Sequence, residues 1–223
     1  MHMNDMRGEI KVGYNSIYNR YIKRVIDLLI ALIAFVPFAP VCLVISVIIL
    51  IDNGFPIFYR AERGGYNGKT FKIFKFRSMV KNADKIGGGT TALNDSRITR
   101  VGAFLRKTKL DEIPQLFNIL NGTMSIVGPR PELLRYTKQY EGVEKDILKV
   151  RPGITDYSSI EFINLDEIVG GENADEMYEK YVLKRKNELR VKYAHTVSLG
   201  TDIKLFWLTI SKTIHKALKF ITT

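Results

Sequence analysis

The sequence predicts a helix-rich α/β protein with a small β-hairpin, held at one face of a membrane. Three patterns support this prediction: a long uncharged apolar run, two alternating apolar segments around Asn67-Gly68, and two later segments with helical apolar spacing. A chain of 223 residues can bury enough apolar surface to fold without disulfides. We divide the chain into an N-terminal tail (residues 1–20), a membrane element (21–53) and a compact domain ending in an amphipathic helix (54–223).

The composition indicates an anionic partner. The formal net charge is +11, so nucleic acid, an acidic membrane surface and phosphorylated substrates are all open on charge alone. Cys42 is the single cysteine, and His2, His195 and His215 are far apart in the sequence. These counts exclude a disulfide framework and a cysteine-based metal site within the chain.

The apolar run extends over 24 residues, from Leu28 to Ile51. As a straight helix it would be about 36 Å long, enough to cross a bilayer. Pro37 and Pro40 lie near its middle, where each removes a backbone hydrogen bond and predicts a break. Basic residues flank the run on both sides, which is typical of ends that stay on one face. A proline-kinked spanning helix is the alternative.

Asp27 lies at the start of this run, where an unpaired carboxylate at the lipid boundary would be unfavourable. Its spacing predicts an ion pair with Arg24 at i−3 or with Lys23 at i−4.

The hairpin is predicted from residues 56–60 and 70–74, joined by a turn at Asn67-Gly68. Residues 80–98 are polar and contain Gly87-Gly88-Gly89, so they are predicted to form a mobile loop. That loop is either a flap over a site or a solvated linker.

Residues 177–193 have the spacing of an amphipathic helix that packs on the core. A second segment with helical spacing follows, in which apolar residues form one face and lysines lie on the opposite face. The stripe comprises Ile203, Phe206, Trp207, Ile210, Ile214 and Leu218, and the lysines are Lys204, Lys212, Lys216 and Lys219. This basic amphipathic helix fits either a membrane interface or the protein core.

The most informative segment runs from Lys109 to Pro131. Adjacent carboxylates, Asp111 and Glu112, precede Pro114, which predicts that a helix begins near Asp111 and that its positive end keeps the carboxylate ionised. After a helix stop at Asn121-Gly122, Arg130 lies between two prolines. Two acids beside a rigid arginine suit phosphoryl transfer, since guanidinium binds phosphate oxygens in pairs. Helix capping alone would also explain both acids.

The segment KLDEIPQLFNILNGTMSIVGPRP resembles the signature of the bacterial sugar transferases, also called small monotopic phosphoglycosyl transferases. The resemblance extends from about Tyr21 to about Leu218 and includes the element Lys75-Phe76-Arg77-Ser78-Met79. Within that element Phe76 is expected in the core, and Arg77 is either a surface residue or a structural arginine near the site. The resemblance implies a re-entrant helix-break-helix at Pro37, Ala39 and Pro40, where relatives commonly have Ser-Pro.

The resemblance also implies a reaction. Asp111 would attack the β-phosphate of a UDP-sugar, release UMP and carry the sugar phosphate until polyprenyl (undecaprenyl) phosphate accepts it. Glu112 would hold Mg²⁺ or manage protons, and both Asp111 and Glu112 are implied metal ligands. Arg106, Arg130 and Arg151 would bind phosphate. Membrane lipids are expected partners on the cytoplasmic face of the bacterial inner membrane, and the sequence leaves monomer and homodimer both open.

Some features leave alternatives open. After Arg151-Pro152-Gly153-Ile154-Thr155 many relatives continue Gly-Trp, whereas this chain has Asp156-Tyr157, so these two residues contact sugar or nucleotide or are plain loop. The sequence does not identify the sugar; an N-acetylated amino or deoxyamino sugar is the expectation. A catalytically silent membrane scaffold remains an alternative function. A membrane-tethered nucleic-acid binder is another, although no nucleic-acid-binding motif is present, and we expect no nucleic acid partner.

Overall fold

The computed structural model describes residues 13–92, 94–170 and 173–222, with side chains up to residue 216. Ten helices and four strands are assigned in these ranges. The helices are α1 (Lys23–Asn53), α2 (Ala83–Ile86), α3 (Arg100–Thr108), α4 (Gln115–Leu120), α5 (Leu134–Thr137), α6 (Tyr157–Glu161), α7 (Leu165–Val169), α8 (Ala174–Tyr178), α9 (Lys184–Thr196) and α10 (Leu199–Thr222). The strands are β1 (Phe58–Gly64), β2 (Thr70–Phe76), β3 (Ser125–Val127) and β4 (Gly153–Thr155). The helix-rich α/β prediction agrees with this content.

The predicted hairpin is present, with strands longer than the sequence suggested. β1 and β2 pair antiparallel from Phe58 opposite Phe76 to Gly64 opposite Thr70. Asn67 and Gly68 both have positive φ (54° and 73°), which explains why these residue types occupy the turn. The alternating register places Phe71 and Ile73 in the core on one face of β2 and leaves Phe74 on the other.

α1 is a single helix of 31 residues that includes Pro37, Ala39 and Pro40. The predicted interruption of helical structure at these residues is therefore wrong. Each proline removes one donor, to the carbonyls of Ile33 and Val36, while the surrounding hydrogen bonds keep the backbone helical. This helix, with the preceding turn, is long and apolar enough to cross a membrane, having a mean hydropathy of 2.9 over its most apolar window.

Both ends of α1 nevertheless pack on the same domain. Near its start, Ala31 is buried in the main core with Met124 and Val127. Near its end, Ile45 and Ile49 are buried against Phe76 and Leu105. The side chains between these contacts are largely exposed, and they include Leu32, Ile33 and Val36.

The start of α1 is held by a buried polar network rather than placed at the lipid boundary. Lys23 Nζ lies 3.8 Å from Asp27 Oδ1 and 2.5 Å from Asp202 Oδ2, so the i−4 pairing is the one observed. Ser125 Oγ donates to Asp27 Oδ2 at 2.7 Å. Arg24 instead donates to the carbonyls at the end of α4. The expectation that Asp27 faces lipid is wrong, because the carboxylate is buried among these partners.

Part of the predicted tail belongs to the fold. Residues 1–12 lie outside the described residues. Gly13 packs so closely on the backbone of His195 that a Cβ there would come within 2.7 Å of its carbonyl oxygen. Tyr18 OH donates to Asp202 Oδ2 at 2.7 Å, and Asn19 is buried. The boundary of the tail is therefore earlier than residue 20.

The last helices differ in what they bury. α9 packs on the core through Leu189 and Tyr193, as predicted for residues 177–193. α10 buries Asp202 and Leu205 but leaves Ile203, Trp207 and Ile214 at least half exposed (50%, 63% and 54%). The predicted stripe thus does not face the core at these three positions, which favours the interfacial reading. The side chains of Leu218 and Lys219 lie outside the described ones.

Candidate active site

Asp111 lies in a short 3₁₀ helix, Leu110–Glu112, between α3 and α4. α3 ends at Thr108, and Lys109 adopts a left-handed conformation with φ of 60°. Residues 110–112 form one 3₁₀ turn, and α4 begins at Gln115. Helical structure thus begins near Asp111, as predicted, but as a 3₁₀ helix, and the α-helix begins only at Gln115. α4 has only six residues, so a helix dipole contributes little at this carboxylate.

The Asp111 carboxylate is buried, with 5% of the residue exposed. Its Oδ1 atom has no hydrogen-bond partner among the described residues. Burial and the neighbouring charge of Glu112 raise the pKa of Asp111, while Lys75, Lys109 and Arg106 act in the opposite direction. The sequence predicts that a helix end keeps this carboxylate ionised. In the structure, the nearby cations Lys75, Lys109 and Arg106 favour the ionised form instead.

Glu112 has the opposite environment. Arg130 binds both of its oxygens, with Nη1 3.0 Å from Oε2 and Nη2 in close contact with Oε1. Lys75 Nζ adds a third contact, 3.1 Å from Oε1. Burial alone would raise the pKa of Glu112, but Arg130, Lys75 and Lys109 outweigh it and hold the pKa well below its ordinary range. Glu112 is therefore an ionised anchor for two cations.

Arg130 is positioned by the parallel pair of short strands. β3 and β4 run side by side, so the segments that follow them meet at one edge. Arg130 follows β3, and its Nη1 donates to Ile154 O at 3.0 Å. Its backbone N–H faces Asp156 Oδ2 at 3.4 Å. The proline on each side limits the freedom of this turn.

Arg106 is close to the carboxylates but is held by hydroxyl groups. Its Nη2 donates to Thr91 Oγ1 at 2.7 Å, and its Nη1 is 3.4 Å from Ser78 Oγ. Thr91 belongs to the polar loop predicted as flap or linker. That loop contains α2 and is tied down by Asp175, whose oxygens accept from the backbone N–H groups of Gly89 and Thr90 at 3.1 and 2.6 Å.

Arg151 is not joined to the carboxylates by the contacts observed. It donates to Gly122 O at 3.2 Å, and its guanidinium lies 4.9 Å from the centre of the Tyr66 ring. Burial and the positive charge of Arg151 lower the pKa of Arg24 nearby. Arg151 therefore marks a second basic position, beside the turn that ends α4.

The sequence does not identify Lys75 as a site residue, yet β2 directs its ammonium to Glu112. For Asp156 the sequence leaves open a sugar or nucleotide contact and plain loop. In the structure Asp156 is fully buried, caps α6 through Ser159 N at 2.7 Å and faces Arg130. Gln115 is fully buried, and its amide has no partner among the described side chains and backbone groups. The alternation of β2 was the one sequence signal that could have placed Lys75.

The fold combines one long apolar helix with a site in which a buried carboxylate lies beside arginine and lysine side chains. A family model described as "Bacterial sugar transferase" matches residues 18–216. The chain belongs to that family.

Curated relatives support the same assignment. The chain is 36% identical over 198 residues to UDP-glucose:undecaprenyl-phosphate glucose-1-phosphate transferase of Escherichia coli (strain K12), covering 87% of this chain and 40% of that protein. It is 45% identical over 120 residues to a putative undecaprenyl-phosphate N-acetylgalactosaminyl 1-phosphate transferase of Bacillus subtilis (strain 168), covering 54% and 67%. It is 38% identical over 143 residues to UDP-N-acetylgalactosamine-undecaprenyl-phosphate N-acetylgalactosaminephosphotransferase of Aeromonas hydrophila, covering 63% and 34%. The chain thus spans about two fifths of the length of the Escherichia coli relative.

Proposed function

We propose that this protein transfers a sugar 1-phosphate from a UDP-sugar to undecaprenyl phosphate in two steps. In the first, a carboxylate oxygen of Asp111 forms a bond to the β-phosphorus of the donor. The bond from that phosphorus to the bridging oxygen breaks, and UMP leaves with the electron pair. In the second, an oxygen of undecaprenyl phosphate attacks the same phosphorus and the aspartyl carboxylate leaves. The product is a polyprenyl-diphosphate sugar, the first membrane-bound intermediate of a bacterial glycan.

The buried Asp111 carboxylate carries this proposal. One of its oxygens is without a hydrogen-bond partner among the described groups, although the residue is 95% inaccessible. A buried carboxylate oxygen without a hydrogen bond is unfavourable in a resting protein, which points to a functional role for this carboxylate. Relatives named as sugar-phosphate transferases to undecaprenyl phosphate support the overall transfer from donor to acceptor. The transferred sugar differs between these relatives, so we assign no particular sugar to this protein.

The cations supply the charge that phosphoryl transfer requires. Arg130 and Lys75 are held next to Asp111 by Glu112, so their positions are set before substrate arrives. Arg106 can leave its hydroxyl partners to bind a donor phosphate, since hydroxyl groups compete weakly with an anion. Arg151 is assigned to phosphate on the acceptor side, beside the end of α4.

Mg²⁺ is part of the proposal, with a narrower ligand set than the sequence implied. No cluster of three acidic, histidine or cysteine side chains exists in the described ranges. The partnerless Asp111 oxygen fits a metal whose other ligands are substrate phosphates and water. Glu112 does not fit in this arrangement, because both of its oxygens contact Arg130. When bound, Mg²⁺ would neutralise charge on the donor diphosphate.

Removal of divalent cations tests this assignment. We expect EDTA to abolish UMP release and added Mg²⁺ to restore it. Undiminished release in EDTA would contradict the metal assignment while leaving the nucleophile untouched.

The seating of the domain at the cytoplasmic face of the membrane rests on α1 and α10. Because both ends of α1 pack on one domain, we propose that both ends stay on the same side of the bilayer. The exposed Trp207 stripe of α10 would lie in the interface beside it.

Replacement of the nucleophile is the decisive experiment. Asp111→Asn keeps the shape of the side chain but removes its charge, so we expect turnover to fall by about 10³-fold or more. Wild-type protein given only UDP-sugar should release one equivalent of UMP and gain a covalent sugar phosphate, measured by intact-protein mass spectrometry. Substantial turnover by a folded Asp111→Asn protein would end the proposal.

A further inference from the structure

An aromatic groove lies between the β-hairpin and α4, with α1 adjacent to it through Phe35. Its walls are Phe58, Phe74, Phe117, Leu120 and Asn121, and it encloses about 600 Å³. That volume is in the range of small-molecule sites. Phe58 and Phe117 keep 36% and 41% of their surface exposed, so rings that would normally be buried face an open space.

The groove is continuous with the lipid-facing surface of α1. Phe117 packs edge-on against Phe35 of α1, with ring centres 5.5 Å apart. Phe74 lies next to Phe117, at 6.2 Å. A row of rings therefore leads from the uncharged membrane helix onto the domain.

The other end of the groove approaches the catalytic turn. Phe58 stacks on Phe76, with ring centres 5.4 Å apart. Phe76 belongs to a buried cluster against which Leu110 packs, and Leu110 is the residue before Asp111. On β2, Phe74 faces the groove while the next residue, Lys75, contacts Glu112. Successive residues of a strand point to opposite faces, so Lys75 and Glu112 lie across β2 from the groove, and the groove is joined to the catalytic turn through Phe58, Phe76 and Leu110.

The rim carries positive charge. The Arg60 guanidinium lies 4.5 Å from the centre of the Phe74 ring and is otherwise exposed. A cation over an aromatic floor suits a ligand that has an anionic head and a long apolar chain.

We propose that this groove binds the isoprenoid chain of the lipid acceptor and guides its phosphate from the bilayer to Asp111. The inference rests on the proposed function, because the acceptor is an undecaprenyl phosphate only if that function holds. It goes further by assigning Phe58, Phe74 and Phe117 as residues that recognise the chain, distinct from those that perform the chemistry. The fit depends on chain length, since a short prenyl chain would not extend through the groove into the membrane.

The kinetic test separates the two half-reactions. Phe117→Ser should raise the apparent KM for undecaprenyl phosphate about tenfold, equivalent to about 1.4 kcal/mol, and change that for farnesyl phosphate by less than about twofold. UMP release from donor alone should match wild type. Tyr181→Ser, which removes an exposed ring elsewhere on the domain, is the control and should change neither value. An equal effect of Phe117→Ser on both acceptors would overturn the proposal.

Photolabelling of wild-type protein provides a readout that requires neither turnover nor a folded variant. Undecaprenyl phosphate with a photoreactive group in its chain should label peptides containing Phe58, Phe74 or Phe117. Excess undecaprenyl phosphate should suppress that labelling, and phosphatidylglycerol should not. Equal suppression by both lipids would make this a general acyl-chain groove, and labelling confined to α1 or α10 would exclude the groove. Both results overturn the inference, whereas absence of UMP release from wild type would contradict the proposed function alone.

Discussion

The adjacent carboxylates of Asp111 and Glu112 lie in different electrostatic environments. Burial and like charge raise the pKa of Asp111, whereas Arg130 and Lys75 hold the pKa of Glu112 well below its ordinary range. The pair therefore separates into an ionised anchor and a more basic neighbour. A more basic carboxylate is a better nucleophile once ionised, but it protonates at higher pH.

This difference predicts a pH dependence. Only ionised Asp111 attacks, and its pKa is raised, so donor-dependent UMP release should decline with acidity at a pH above the ordinary aspartate range. Lys75→Met removes a cation that favours the ionised form, so the pKa of Asp111 should rise further. The acidic limb of the pH–rate profile, where the rate falls with acidity, should then move to higher pH. Single-turnover UMP release measured across pH checks this.

A matched control for Lys75→Met is a second lysine of β2. Lys72→Met removes an exposed cation from β2, and it should leave the acidic limb in place. A shift of the limb to lower pH in Lys75→Met would contradict the assignment.

The sequence predicted Asp111, Glu112 and Arg130 because they lie in one short segment with a resemblance to known transferases. Lys75 and Asp156 could not be assigned in this way. Each reaches the site through strand pairing across many residues, and β-strand register is not encoded locally. The pKa direction of Asp111 likewise depends on burial by the whole domain.

The buried side chain of Arg77 ties the end of α1 to the β-hairpin. Arg77 Nη2 donates to the carbonyls of Asn53 and Gly54 at 2.6 and 2.7 Å. These carbonyls end the helix, and the last carbonyls of a helix have no partner within it. Of the two roles left open for Arg77, the structural one is observed. The sequence could identify the helix and the hairpin, but this connection depends on how they pack.

Arg77→Met should therefore loosen α1 from the domain. Loss of charged hydrogen bonds to two buried carbonyls is expected to destabilise the protein by about 2–3 kcal/mol. Thermal unfolding in detergent measures the loss. Arg100→Met, at an exposed arginine of α3, should be nearly neutral, and a comparable loss there would remove the special role of Arg77.

For the whole molecule, the arrangement of α1 decides how the domain meets the bilayer. A straight helix of this length would extend about 46 Å, more than a bilayer core. A crossing helix would place its two ends on opposite sides, yet both ends bury side chains in one domain. Basic residues on both sides of the apolar run are typical of the proposed topology, in which both ends stay on one face.

Site-directed labelling of membrane vesicles tests this topology. In a Cys42→Ser background, single cysteines at exposed Asn15 and Asp52 should react alike with a membrane-impermeant maleimide. Both should react in inside-out vesicles and neither in right-side-out vesicles. Labelling from opposite sides would establish a crossing helix.

The buried pair between Lys23 and Asp202 has a mechanical consequence. It fastens α1 to α10, and Tyr18 and Tyr193 both donate to the same carboxylate, so the two helices proposed to contact the membrane would tilt or sink together. Asp111 would then stay at a constant height above the headgroup plane while the surrounding bilayer fluctuates. Swelling or thinning of that bilayer would then move the domain together with the headgroup plane as one rigid body, without a change of shape in the enzyme.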